Sequence, residues 1–161
     1  MSSIIPLKFF DFLNLHIQFS GGILIERNNV THNRGNPVVD CGVVKFGLEL
    51  RAVGQDGGIA IHVLGDVAGQ EIELLAFDCF RIYPHYHYGP RARNERIFWD
   101  KTLVPDPLAW TLDQFKAGKL PGMIERAGYP TIAAMLDQDL VQAKVREVEA
   151  TTKSMLLAGV R

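Results

Sequence analysis

With 161 residues, 47% of them hydrophobic and 22% charged, the chain has the make-up of one globular domain that can bury a core without disulfide or metal staples. Its 17 basic and 18 acidic residues leave a formal net charge of -1, without the basic excess from which nucleic-acid binders draw most of their affinity. No apolar run reaches the roughly 20 residues of a bilayer span, so neither nucleic acid nor membrane is an expected partner.

The first residues, MSSIIPLKFFDFLNLHIQF, lack a basic leader and are interrupted by Pro6, Lys8, Asp11 and Asn14. They read as mature protein and not as a signal peptide, which makes the cytoplasm the expected location. Leu13, Leu15, Ile17 and Phe19 alternate with polar residues, the period of a half-buried strand. Gly21-Gly22 supplies a turn, and residues 23–27 can return as the second arm. Residues 28–37, rich in Asn and ending in Gly-Asn-Pro, read as a loop.

The clearest strand follows, with Val44, Phe46, Leu48, Leu50 and Ala52 on one face and Lys45, Glu49 and Arg51 on the other. Gln55-Asp56-Gly57-Gly58 is turn chemistry, residues 59–65 form the partner strand, and residues 66–70 turn again. The segment 71–80, EIELLAFDCF, is apolar nearly throughout and reads as a central strand covered on both faces. Residues 81–88 continue or pair with it, and 95–100 is a further short strand. Cys41 and Cys79 form no CxxC motif and read as reduced, partly buried thiols.

The pattern changes at Pro105. Asp106 is a good N-cap with Pro107 at the first helical position, and Leu108, Leu112 and Phe115 recur at helical spacing before Gly118. Pro121 opens a short second helix that Gly128 ends. A third runs from Pro130 or Thr131 to about Leu157, with no Gly or Pro inside it. Its Val141, Val145, Val148, Thr152 and Met155 are spaced like a helix–helix seam. The seam serves either the chain's own sheet or self-association through the C-terminal helix. The expected fold is therefore α+β: an antiparallel sheet of about six or seven strands over residues ~10–100, covered by helices over ~106–157, in a single domain spanning 1–161.

Few segments carry chemistry. In an extended chain Tyr83, His85 and His87 of Tyr-Pro-His-Tyr-His-Tyr share one face. Two imidazoles at i and i+2 can ligate one divalent transition-metal ion. Glu95 and Asp100 on the next strand are the nearest further ligands in sequence, followed by Asp78, Cys79 and His62. The pair is similar to that of cupin barrels, but the acidic ligand that follows closely there is absent here, Glu95 being the first. Arg81, Arg91, Arg93, Arg96 and Lys101 cluster around the same hairpin. Arginine forks suit carboxylate or phosphate, which makes Tyr83, Arg81 and Arg96 candidate ligand-binding residues and leaves weak RNA contact as a third reading. Asp78, Glu95 and Asp100 are interleaved and can neutralise these charges. A Cys79 nucleophile with His62 or His85 is disfavoured by the apolar strand around the thiol. GxSxG, P-loop, HExxH and GxGxxG motifs are all absent.

The string FDCF…PHYHYGP…DPLAWTL…AGY, residues 77–129, resembles a small bacterial family of uncharacterised proteins. The resemblance implies no activity and no ligand residue. Two main expectations remain: a non-enzymatic ligand-binding or assembly protein, homodimeric through its last helix, and a metal-binding protein or metal-dependent enzyme built on His85 and His87.

Overall fold

The computed structural model describes residues 37–159, which lie within one compact unit, residues 31–161. The strand expected over 13–19, the Gly21-Gly22 turn, the arm 23–27 and nearly all of the 28–37 loop lie outside the described residues. Within them, six antiparallel strands form one sheet in sequence order: β1 (Val38–Cys41), β2 (Val44–Val53), β3 (Asp56–Val67), β4 (Gln70–Phe80), β5 (His85–Tyr88) and β6 (Glu95–Phe98). Four helices follow: α1 (Pro107–Lys116), α2 (Leu120–Arg126), α3 (Pro130–Ala134) and α4 (Gln138–Gly159). The sheet-then-helix α+β order expected from sequence is the order found. None of the described helices is long and apolar enough to cross a membrane.

Alternation makes the sheet two-faced. Val44, Phe46 and Leu48 of β2, Ile59, Ile61 and Val63 of β3, and Leu75 and Phe77 of β4 are buried in one core with residues of α1, α2 and α4. The helices therefore pack on the face that these odd and even positions share. Phe115 of α1 is the anchor, its ring 5.5 Å from that of Phe46 and edge-on to Phe77 at 5.3 Å. Asp106 caps α1 by accepting from the Ala109 N–H at 2.9 Å, and Gly118, at φ +72°, ends it.

Four details differ from the sequence reading. Residues 38–41 form a strand that short length hides, first in the sheet order among the described residues. The β2–β3 turn is Gly54-Gln55, because Val53 pairs with Asp56 and the strand starts there; Gly57 and Gly58 lie inside β3. At Gly58 a Cβ would stand 2.4 Å from the Cys79 carbonyl oxygen, so glycine is needed for close backbone approach and not for a turn. The long last helix is two helices. Asp137 accepts from the N–H groups of Asp139 and Leu140 at 3.0 and 3.1 Å, and this N-cap starts α4 afresh without any Gly or Pro.

The valine seam faces the chain's own core. Val141, Val145, Val148 and Thr152 are fully buried, and α4 contacts α1, β1, β2 and β3. Leu156 and Leu157 beyond them are exposed.

Candidate metal-binding cluster

Register places the polar side chains. Across the sheet, Glu49, Ala60, Asp78, His85 and Phe98 form one row of paired residues; Gly47, His62, Ala76, His87 and Arg96 form the next. Paired residues share a face, and both rows fall on the face turned away from the apolar core. His85 thus lies directly opposite Asp78, with His87 diagonal to it, within reach of an imidazole.

Asp78 is 5% exposed. Its Oδ2 lies 3.1 Å from His85 Nε2 and 3.6 Å from His87 Nε2, and the three ligand atoms offered by this group lie within 4.8 Å of one another. The other ring nitrogens are already held: His85 Nδ1 contacts the Tyr83 carbonyl at 2.8 Å and His87 Nδ1 contacts Asn94 Oδ1 at 2.7 Å. A carbonyl only accepts, so His85 Nδ1 carries a proton. A neutral His85 then turns a bare Nε2 lone pair toward a carboxylate oxygen. Two acceptors at that distance repel unless a cation, either a proton or a metal ion, joins them.

Local structure sets up these second contacts. Asp56 accepts from the N–H groups of Ile82 and Tyr83 at 2.8 and 2.9 Å, which fixes the bend that aims the Tyr83 carbonyl at His85. These N–H groups, with that of Gly57, hold the Asp56 carboxyl below its usual range even though desolvation acts the other way. Asn94 adopts φ +50°, a left-handed conformation that asparagine tolerates better than most residues, and its N–H donates to the Gly89 carbonyl at 2.8 Å. The 89–94 loop is thereby closed with the Asn94 amide against His87.

On the far side of Asp78, Arg51 Nη1 donates to Oδ1 at 2.9 Å. Arg51 and Asp78 lie on β2 and β4, and the β3 residues paired with them, Gly58 and Ala60, are small. Burial alone raises the Asp78 carboxyl; the contacts of His85 and His87 and the Arg51 charge outweigh it and hold the group well below the usual carboxylate range. Asp78 is therefore ionised at neutral pH.

A second buried line adjoins the first. His62 Nδ1 lies 2.6 Å from Glu73 Oε1 and its Nε2 lies 3.2 Å from Glu49 Oε2. Glu73 Oε2 also contacts Arg91 Nε at 3.4 Å. Glu73 reaches this face because the β3–β4 register shifts between Val63 and Leu64, so that Leu64 pairs with Glu73 and Leu74 is the extra residue. Burial lowers the His62 pKa, but the hydrogen bonds and charges of Glu49 and Glu73 more than reverse this and push it up to about 9. Because the two carboxylates sit on opposite edges of the ring, this line holds a proton well and does not converge on a point.

Of the residues singled out from sequence, His85 and His87 converge and Glu95 and Asp100 do not join them. Tyr88, not His87, pairs with Glu95, so that carboxylate points to the other face and binds Arg126 at 2.7 Å. Asp100 accepts from the Thr102 N–H at 2.8 Å. Asp78 is the carboxylate actually brought to the histidines. Arg81 donates to the Gln55 carbonyl at 2.8 Å and Lys101 to the Arg81 carbonyl at 2.8 Å, while Tyr83 and Arg96 are exposed. Burial, partly offset by a contact with Thr111, pushes the Cys79 thiol up to about 12, which removes it as a nucleophile. Trp99 and Trp110 pack edge-on at 5.4 Å in the core around Tyr86.

Fold and cluster together define an α+β domain built on an antiparallel meander, with two histidines and one carboxylate gathered on its polar sheet face. The chain belongs to the family described as Domain of unknown function (DUF7700), whose model matches residues 38–152. That span holds all six strands and every residue of the cluster, and the family carries no assigned activity, as the resemblance over residues 77–129 implied. No curated protein and no solved structure matches the chain.

Proposed function

We propose that this domain binds a divalent transition-metal ion through Asp78 Oδ2 and the Nε2 atoms of His85 and His87. The carrying observation is that both Nδ1 atoms are held by oxygen acceptors while both Nε2 atoms face one carboxylate oxygen. This is the arrangement in which an outer acceptor fixes the tautomer and aims the ligating lone pair.

Two of the three ligand separations support the reading, and the third, between the two Nε2 atoms, lies within 4.8 Å and has to be no more than about 4.2 Å on a shared ion. With metal–ligand bonds of about 2.1 Å, neighbouring ligand atoms stand about 3.0 Å apart in an octahedron and about 3.4 Å apart in a tetrahedron. The observed 3.1 and 3.6 Å fall within a few tenths of an ångström of those edges. The longer one is too long for a hydrogen bond. Two imidazoles and one carboxylate suit Zn(II) or Fe(II), and three protein ligands leave positions for water or an exogenous ligand. Such a site serves metal-dependent catalysis or ligand binding, with Asn94, Asp56 and the Tyr83 carbonyl as positioning groups.

Metal analysis of protein purified without a histidine tag tests this. About one equivalent of Zn or Fe per chain is expected, lost in Asp78→Ala and His85→Ala. Folded protein that neither retains nor takes up either metal contradicts the reading and leaves the cluster as an ion pair of Asp78 with Arg51 and protonated histidine.

A further inference from the structure

We propose, resting on the metal reading above, that the ligand completing the coordination sphere is a small aromatic carboxylate, with its carboxylate on the metal and its ring against Phe98.

Charge supplies the first argument. A divalent ion held by Asp78 and two neutral imidazoles keeps one unit of positive charge, and Arg51, 2.9 Å from Asp78, adds another. Glu49 lies near Arg51, at 3.8 Å from Nε, but is itself engaged with His62. The cluster is therefore short of negative charge, and an anionic oxygen donor is the ligand type that meets this.

Shape supplies the second. Phe98 sits in the same sheet row as Asp78 and His85, yet it is 57% exposed. Its ring centroid is 5.2 Å from that of His85, so it lies beside a metal ligand and still offers surface to a partner. Phe80 stands edge-on to His85 at 6.1 Å, with the Arg51 guanidinium 5.5 Å over its ring. His85 is thus flanked by two phenyl rings. Tyr83, 66% exposed, precedes it by two residues. Apolar aromatic surface held next to a set of metal ligands favours a ring over an alkyl chain, through offset or edge-to-face stacking. Two of the arginines around the hairpin are already engaged, Arg81 with the Gln55 carbonyl and Arg91 with Glu73.

The experiment uses the full chain loaded with Co(II), whose visible absorption reports on the ligands around it, titrated separately with benzoate and acetate. Benzoate is expected to bind about tenfold more tightly than acetate, the size of a good aromatic contact. In Phe98→Ala that preference should fall to about twofold, with Co(II) stoichiometry and acetate affinity unchanged. Because Phe98 is exposed, the variant should fold. Equal affinities for benzoate and acetate, or a preference that survives in Phe98→Ala, overturn the proposal while leaving the metal site standing. Failure to take up Co(II) overturns the metal reading and this one with it.

Discussion

His85 Nε2 and Asp78 Oδ2 stand 3.1 Å apart on adjacent strands, and the other nitrogen of His85 is already committed to the Tyr83 carbonyl. A proton or a metal ion between them reconciles the pair. Asn94 does for His87 what the Tyr83 carbonyl does for His85.

Removing that support should therefore loosen the site without emptying it. Asn94→Ala is expected to weaken Co(II) or Zn(II) binding by about 10- to 100-fold, the usual range for loss of an outer contact on a ligating histidine. Competition with a chelator of known affinity measures it. A variant with unchanged affinity would show that the 2.7 Å contact does not orient the ring.

The His62 line makes a prediction about pH. Its folded pKa of about 9 lies above the ordinary 6.5, so folded protein holds the proton more tightly than unfolded protein does. The stabilisation is complete below pH 6.5 and disappears as pH rises through 9. It amounts to about 3 kcal/mol. Urea unfolding of the native chain and His62→Gln across pH 6.5 to 10 should show the stability difference between them shrinking by this order. A constant difference would mean that His62 is neutral in the fold.

Both thiols should be inert in the native state. Burial raises Cys41 and Cys79, the latter to about 12, so almost no thiolate is present at pH 8. A disulfide reagent should titrate no thiol in native protein and both in denaturant. Rapid reaction of one thiol in native protein would refute the burial of that residue.

The α3–α4 break offers a local test. Asp137→Ala removes the acceptor for two backbone N–H groups and should cost about 1 kcal/mol, read as a lowered midpoint in urea. Asp137→Asn, which keeps an acceptor, should cost much less.

The sequence made the sheet and its helical cover legible because β2 alternates cleanly, turn residues separate β2, β3 and β4, and Asp106-Pro107 is a strong helix start. It also placed His85 and His87 on one face. Asp78, ranked there behind Glu95 and Asp100, was obscured by register. Asp78 sits in FDCF, where Phe77 and Cys79 belong to the core face and Asp78 to the other, but the near-continuous apolar run reads as buried on both sides. Glu95 looked closer because a one-residue shift in pairing moves a side chain to the opposite face, and the pairing found is Tyr88 with Glu95. The Glu73–His62 contact depends on a bulge that no residue type announces. The N-cap at Asp137 was concealed by the helical propensity around it.

The central claim is that Asp78, His85 and His87 hold one metal ion. Elemental analysis of tag-free protein, beside Asp78→Ala, His85→Ala and His87→Ala variants shown to be folded by circular dichroism, tests it most directly. The account predicts about one equivalent of a divalent transition metal in the native chain and a small fraction of that in each variant. Equal metal content in native protein and variants, or none after incubation with Zn(II) and Fe(II), would contradict it.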